Sequence, residues 1–417
     1  MSAEIISILV LAAMFLVATL TPINMGLLGL VAAYLVGVYL GGIAPKEIAR
    51  NVPADLFVTL VGVTFLFAVA QGNGAIGRMI AGASALVGGR KVLLPWVMFV
   101  VAAVLTGIGA LSPAAVAILA PLAMTFARRN GLNPMVCGLL VVHGAQGGGF
   151  SPLSVYGGIT RDAVEKGGLA FEAMAPFLGS LAMNTLAALG LYLVLGRLMG
   201  SAAGAPAAAA AEAPLEASEG RSTSIATFAG LIALAVLTLA FKLEIGFVAI
   251  AIGLLLSFLS LKSHRQTLQR LPWSEIVLIT GVATYVAVLQ KMGVIDWAAA
   301  QVSAVGSPAL AALLVLYIAA VVSAFASSTA VLGSLVPLAI PLLAGQSPLA
   351  VAAYVGAIAV ATTIVDVSPF STNGALVLAS AEDEDRQRLY RRLVLYGALL
   401  TVIAPLVLWG IYLTFRG

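Results

Sequence analysis

Between Trp297 and Val365 the chain carries no charged residue. Such a stretch cannot form an ordinary water-facing surface. In lipid, every backbone N–H and C=O must instead find its partner inside the protein. The apolar runs along the chain are long and recurrent, each near the roughly 20 residues that a helix needs to cross a bilayer. The expected fold is therefore an all-α polytopic membrane protein. Composition agrees: 61% of the 417 residues are apolar and 9% are charged, with a mean hydropathy of +1.10. A soluble domain carries about 25% charged residues. Residues 1–20 have no basic leading region, carry Glu4 and lack a small-residue cleavage site, so they read as a first span rather than a signal peptide.

Several classes of chemistry are disfavoured by residue counts. The single cysteine, Cys137, rules out an internal disulfide and a multi-thiolate metal site. Two histidines, His143 and His264, leave little for zinc. The net charge of +4 sits in short loops and does not suggest a nucleic-acid partner. No HExxH motif, paired-aspartate motif or nucleophile with a nearby base supports an intramembrane enzyme.

The one clearly aqueous, low-complexity stretch, 200–223, lies at the middle of the chain and prompts a search for a repeat. Gly62, Val63, Gln71, Gly74 and Ile76 match Gly281, Val282, Gln290, Gly293 and Ile295 at an offset of 219. Phe150-Ser151-Pro152-Leu153-Ser154 matches Val367-Ser368-Pro369-Phe370-Ser371 at 217. Ser112 and Pro121-Leu122-Ala123 match Ser328 and Pro337-Leu338-Ala339 at 216. The chain thus divides into a first repeat (1–199), a flexible cytoplasmic linker (200–223) and a second repeat (224–417).

Each half reads as spans at about 5–20, 25–42, 56–72, 135–162 and 174–197, matched by 226–241, 245–261, 275–290, 350–380 and 390–414. A short Gly/Ala-rich piece (74–89, 293–306) and a broken apolar stretch (93–127, 308–344) lie between the third and fourth. The broken stretch is a re-entrant hairpin or two full spans. Either way each half crosses an odd number of times, so the second is expected to be inverted. With Met1 outside, 14 of the 21 Lys and Arg residues fall on the cytoplasmic side, among them Arg128, Arg129, Arg391 and Arg392, and 7 on the other. Both termini are expected on the outer face, and the acidic-basic run Glu382–Arg392 as a solvated cytoplasmic loop.

Inverted repeats with discontinuous helices are the signature of alternating-access carriers, whose site lies at the midplane between the repeats. The breaks are Gly107–Pro113, Gln146–Pro152, Ser327–Thr329 and Asp366–Asn373. Glycine and proline free carbonyls there that can hold a cation, and half-helix N-termini present N–H groups to an anion. Candidates for the substrate anion are Ser112, Ser151, Ser154, Ser328, Thr329, Ser368, Ser371, Thr372 and Asn373. Candidates for the cation are Gly109, Ser112, Gly149, Ser327, Ser328, Asp366 and Val367. Asp366 is the one acid deep in an uncharged run, and an intramembrane carboxylate is a functional candidate by default. His143 reads first as a packing and hydrogen-bonding residue.

The segment from Pro53 through Phe67, followed by Ala70-Gln71-Gly72-Asn73-Gly74, resembles the N-terminal region of the MatC dicarboxylate (malonate) carriers. These look like a branch of the ion transporter superfamily that includes the divalent anion/sodium symporters. The resemblance implies two inverted repeats of five transmembrane helices plus a re-entrant hairpin each, and a homodimer with scaffold and transport domains. It also implies uptake of a small dicarboxylate, malonate or a C4 acid, across a bacterial cytoplasmic membrane by sodium symport, with no cofactor. In sodium-coupled relatives each hairpin tip carries Ser-Asn-Thr. Here the tips read Ser112-Pro113-Ala114 and Ser328-Thr329-Ala330, and the breaks Ser151-Pro152 and Ser368-Pro369. The missing asparagines leave a proton-coupled carrier or exchanger using Asp366 as the alternative. A channel is a further class, distinguished by the absence of saturation.

Overall fold

The computed structural model describes residues 2–76, 78, 82, 91–170, 172–198, 221–259, 264–303, 307–324, 328–381 and 383–416. Residues 200–220 of the linker, most of 74–89 and Ser327 lie outside the described residues. Among the described residues every regular element is helical. The first half contains α1 (Ala3–Leu20), α2 (Met25–Tyr39), α3 (Pro45–Arg50), α4 (Ala54–Gly72), α5 (Leu94–Gly107), α6 (Ser112–Arg129), α7 (Pro134–Gly148), α8 (Val155–Lys166) and α9 (Met174–Leu198). The second contains α10 (Arg221–Leu239), α11 (Ile245–Phe258), α12 (His264–Gln269), α13 (Trp273–Lys291), α14 (Val294–Ser303), α15 (Pro308–Ser323), α16 (Ser328–Ala339), α17 (Pro348–Ile364), α18 (Thr372–Ala379) and α19 (Asp383–Phe415).

Helix starts follow local chemistry. Asn133, Ser307 and Ser347 each cap a helix whose next residue is proline, accepting from Met135 N (3.0 Å), Leu310 N (3.4 Å) and Ala350 N (3.2 Å). A capping oxygen satisfies one orphan N–H, and proline at the first helical position has none to satisfy. Four helices are long and apolar enough to cross a membrane by length and composition: Pro45–Gly72, Met174–Leu195, Trp273–Lys291 and Arg386–Phe415. Large apolar side chains such as Leu16, Phe247, Leu255, Phe258 and Leu395 stand exposed on α1, α11 and α19. On a soluble protein they would form an aggregation-prone patch, whereas on a multi-pass membrane protein they are the lipid boundary.

The interior is built around α7 and α17. Every residue from Met135 to Gly148 is buried, as is almost all of α17. Helix α5 packs on α7, and α15 packs on α17 in the corresponding place. Helices also cross between the halves. Helix α2 packs on α13 and α4 packs on α11, and both crossings are closed by glycine pairs, Gly26 with Gly281 and Gly62 with Gly246. A Cβ on Gly281 would come within 2.6 Å of Gly26 Cα, so these backbones approach as only glycine permits. Under the repeat, Gly26 corresponds to Gly246 and Gly62 to Gly281, which makes the two crossings equivalents of one another.

One sequence expectation is corrected. Residues 383–392 are the opening turns of α19 rather than a loop. Acids at 383–385 suit a helix N-terminus, and Leu389 and Leu393, one turn apart, are both buried.

Candidate functional site

The two breaks are built alike. Ser154 caps α8, accepting from Gly157 N (3.1 Å) and sharing its hydroxyl hydrogen between Ser151 O (2.7 Å) and Gly149 O. Ser371 caps α18, accepting from Gly374 N (3.4 Å) and donating to Ser368 O and Asp366 O, both at 2.7 Å. The Oγ of Ser151 accepts from Leu153 N (3.2 Å), and that of Ser368 accepts from Phe370 N (3.3 Å). Proline at 152 and 369 supplies no N–H to continue the ladder, and these serines take up the carbonyls and amides so released. Ser151 also donates to Gly107 O, which ties the first break to the end of α5.

Tip helices then cross to the opposite half. Helix α6 packs on α18, and α16 packs on α8. The N-terminus of α6 therefore meets the second break: Asn373 Nδ2 donates to Ser112 Oγ at 2.9 Å. The two breaks touch as well, because Gln146 Nε2 donates to Asp366 Oδ2 at 2.7 Å. Asn373 Nδ2 lies 3.4 Å from the same carboxylate oxygen. Ser328, at the N-terminus of α16, is a further hydrogen-bonding neighbour of that carboxyl and bonds to Ser323 Oγ at 2.9 Å. Asp366 is 4% exposed, and Gln146 and Asn373 are wholly buried. Gln146 Oε1 and Asn373 Oδ1 have no hydrogen-bond partner among the described residues. Segments 92–127, 130–160 and 292–385, which hold both tips and both breaks, contain no lysine or arginine.

Behind this cluster runs a second network. His143 is buried, with Nδ1 2.9 Å from Asn184 Oδ1 and Nε2 2.8 Å from Tyr396 OH. An amide oxygen only accepts, so Nδ1 carries the proton and Nε2 accepts from the tyrosine. Asn184 Nδ2 donates to Ser180 O (3.0 Å), and Ser180 Oγ donates to Gln146 O (3.0 Å). Ser180 thereby ties α9 to the backbone of α7 at Gln146.

The remaining sequence candidates fall as follows. Thr329 is buried beside Ser328, whereas Thr372 is exposed. Gly109 has φ +114° at the turn before α6, a conformation that favours glycine, and a Cβ there would collide with Val63. Gly149 caps the C-terminus of α7, and Val367 is buried and can offer only its backbone. Ser327 lies outside the described residues. Sequence reading missed Gln146 as a side chain, along with Asn184, Ser180 and Tyr396, and their signal was a polar residue embedded in an apolar run. No group of three His, Cys, Asp or Glu side chains placed to hold a metal occurs among the described residues. Two cavities border α8. One of about 380 Å³ is lined by Asn51, Lys166, Gln290 and Asp296, the other of about 740 Å³ by Asp55, Arg161, Lys242 and Glu244.

Residues 1–149 match the family model of the dicarboxylate carrier protein MatC N-terminus, so the resemblance read from Pro53–Gly74 holds over that stretch. The structure is similar to the crystal structure of the Alcanivorax borkumensis YdaH transporter, described as having an unusual topology, with a TM-score of 0.62. That likeness covers 88% of this chain and 87% of the other at 18% identity, and it speaks to the fold. No curated protein matches the chain. The family model describes a carrier and the solved structure is of a transporter, and neither is an enzyme.

Proposed function

We propose that the chain is a secondary carrier that imports a small dicarboxylate, malonate or a C4 acid, across a bacterial cytoplasmic membrane by sodium symport with alternating access. The observation that carries this reading is the exchange of tip and break helices between the halves. It lays α16 on α8 and brings the start of α6 against the second break, where Asn373 meets Ser112 and where Ser328, at the start of α16, neighbours Asp366. Helix N-termini attract anions through their unpaired N–H groups and dipoles. A site assembled from the starts of α6, α16 and α18 can hold a dianion with no lysine or arginine. The carrier match over residues 1–149 and the transporter fold support the same class.

The re-entrant reading of α5 with α6 and of α15 with α16 rests on the family resemblance and belongs to this proposal. With one hairpin and five spans per half, the second half is inverted and both termini face outward. The homodimer implied by the family resemblance belongs to this proposal.

The test is uptake by proteoliposomes of purified protein. Labelled malonate and succinate should accumulate in a saturable manner under an inward sodium gradient and show counterflow. A linear, non-saturating flux would identify a channel. Uptake that a protonophore abolishes at fixed sodium gradient would move the coupling to protons.

A further inference from the structure

We propose that a sodium ion binding at Asp366 turns over the side-chain amides of Gln146 and Asn373, and that this rotation presents their N–H groups to the substrate anion. The proposal deepens the carrier reading, and its anion half rests on that reading.

Three observations combine. First, the Asp366 carboxylate is withdrawn from water, and the partners seen on Oδ2 are two neutral amide N–H groups, from Gln146 and Asn373. A buried carboxylate left with neutral partners is a strong attractor for a hard monovalent cation. Second, each of these amides is wholly buried yet leaves its carbonyl oxygen unpaired. Third, both amides donate to the same carboxylate oxygen, so their nitrogens converge on one point from opposite halves of the chain.

An amide's oxygen and nitrogen are nearly isosteric, and a half-turn about the terminal torsion exchanges them in place. After that turn two carbonyl oxygens face the carboxylate, and the three oxygens surround a cation, the donor type that hard ions take. Ser112 accommodates both orientations. Its hydroxyl accepts from Asn373 Nδ2 before the turn and can donate to Asn373 Oδ1 after it.

The same half-turn changes what the amides show on their other side. Before it, Gln146 Oε1 and Asn373 Oδ1 present partial negative charge, beside the Asp366 carboxyl, to an incoming dianion. After it, two N–H₂ groups point that way and the carboxylate is neutralised. The ion and the substrate would then bind in order, the cation first. The unpaired oxygens mark where the substrate's own carboxylate goes.

The test uses thermal unfolding of the purified full chain. Without substrate, wild type should be stabilised by NaCl over choline chloride at equal ionic strength, and Asp366→Asn should show no such difference. Asn373→Asp and Gln146→Glu keep an oxygen ligand but lose the N–H, so both should still respond to NaCl. Malonate or succinate should stabilise wild type further in NaCl only. In these two variants the half-saturating concentration should rise about tenfold or more, the loss of a hydrogen bond to a charged group.

Should Asp366→Asn not fold, Gln146→Leu serves in its place, with the half-saturating NaCl concentration raised at least about tenfold. A sodium response equal in wild type and Asp366→Asn, or absent from wild type, overturns the proposal. Equal dicarboxylate stabilisation in NaCl and choline, unaltered by Asn373→Asp, overturns it while leaving the carrier reading intact. A sodium response through Asp366 with no dicarboxylate effect overturns the substrate assignment and the rotation's role, and leaves the ion site standing.

Discussion

Gly281→Ala should destabilise the protein, although alanine is the better helix former. A Cβ at 281 would lie 2.5 Å from the carbonyl carbon of Gly26 and 2.6 Å from its Cα. These are backbone atoms of a facing helix, so no rotamer change relieves the collision and α2 must move away from α13. Overpacking of this kind costs about 1–3 kcal/mol, against a gain of about 0.5–1 kcal/mol for replacing a helical glycine by alanine. The net is a loss centred near about 1 kcal/mol and reaching about 2.5 kcal/mol. Gly190→Ala on α9 is the control. A Cβ there has nothing within 4 Å, so only the gain remains. The two substitutions should move the unfolding midpoint in opposite directions, measured in one detergent at one heating rate because such unfolding is often irreversible. Gly26→Ala combined with Gly281→Ala should cost less than the sum of the two, since the helices separate only once. Gly62→Ala combined with Gly281→Ala, at different crossings, should add. If Gly281→Ala is as stable as Gly190→Ala, the close crossing of α2 and α13 is wrong.

With a dicarboxylate bound in the proposed site, Thr329→Ala and Ser368→Ala should each remove a hydrogen bond to its carboxylates, about 1.5–3 kcal/mol. Half-saturating substrate in uptake assays should then rise roughly ten- to a hundredfold with unchanged yield of folded protein, while Ser380→Ala, beyond the break, should leave kinetics alone. Tyr396→Phe removes the donor to His143 Nε2; it should lower thermal stability by about 1 kcal/mol and leave the pH profile of uptake unmoved, whereas a flattened profile would give the histidine a proton role. A reporter active only in the cytoplasm should work when inserted within 200–223 and fail when fused after Arg416, and the reverse pattern would sink the proposed orientation.

What the sequence disclosed and what it hid have separate physical causes. The breaks were legible because Ser-Pro leaves the helical ladder open and the serine two residues after the proline caps the next helix, as Ser154 and Ser371 do. That chemistry is local. The pairing of Gln146 with Asp366 and of Ser112 with Asn373 was not legible, because each joins residues more than 200 positions apart through the crossing of α6 and α18 and the contact of α7 with the second break. His143 offered a ring in an apolar run, but which of α9 and α19 would satisfy each nitrogen depends on their packing. Residues 383–392 misled because a run of charges reads as solvent-facing loop, when acids followed by arginines also describe a helix entering from water. The crossings at Gly26 and Gly246 escaped because single glycines carry no periodic signal in a chain with 43 of them.

Those crossings have a consequence for how the molecule comes into being. Helices α2 and α4 each find their closest neighbour in the other half, at α13 and α11. The first half thus leaves the ribosome with two glycine-lined grooves that nothing in it can fill. It must wait in the membrane, incompletely packed, until α11 and α13 have been inserted. The two contacts are also one contact made twice, the self-complementary relation found where identical subunits meet about a two-fold axis. A side chain added at any one of the four glycines therefore meets backbone from the other half, with 255 residues separating Gly26 from Gly281 and 184 separating Gly62 from Gly246.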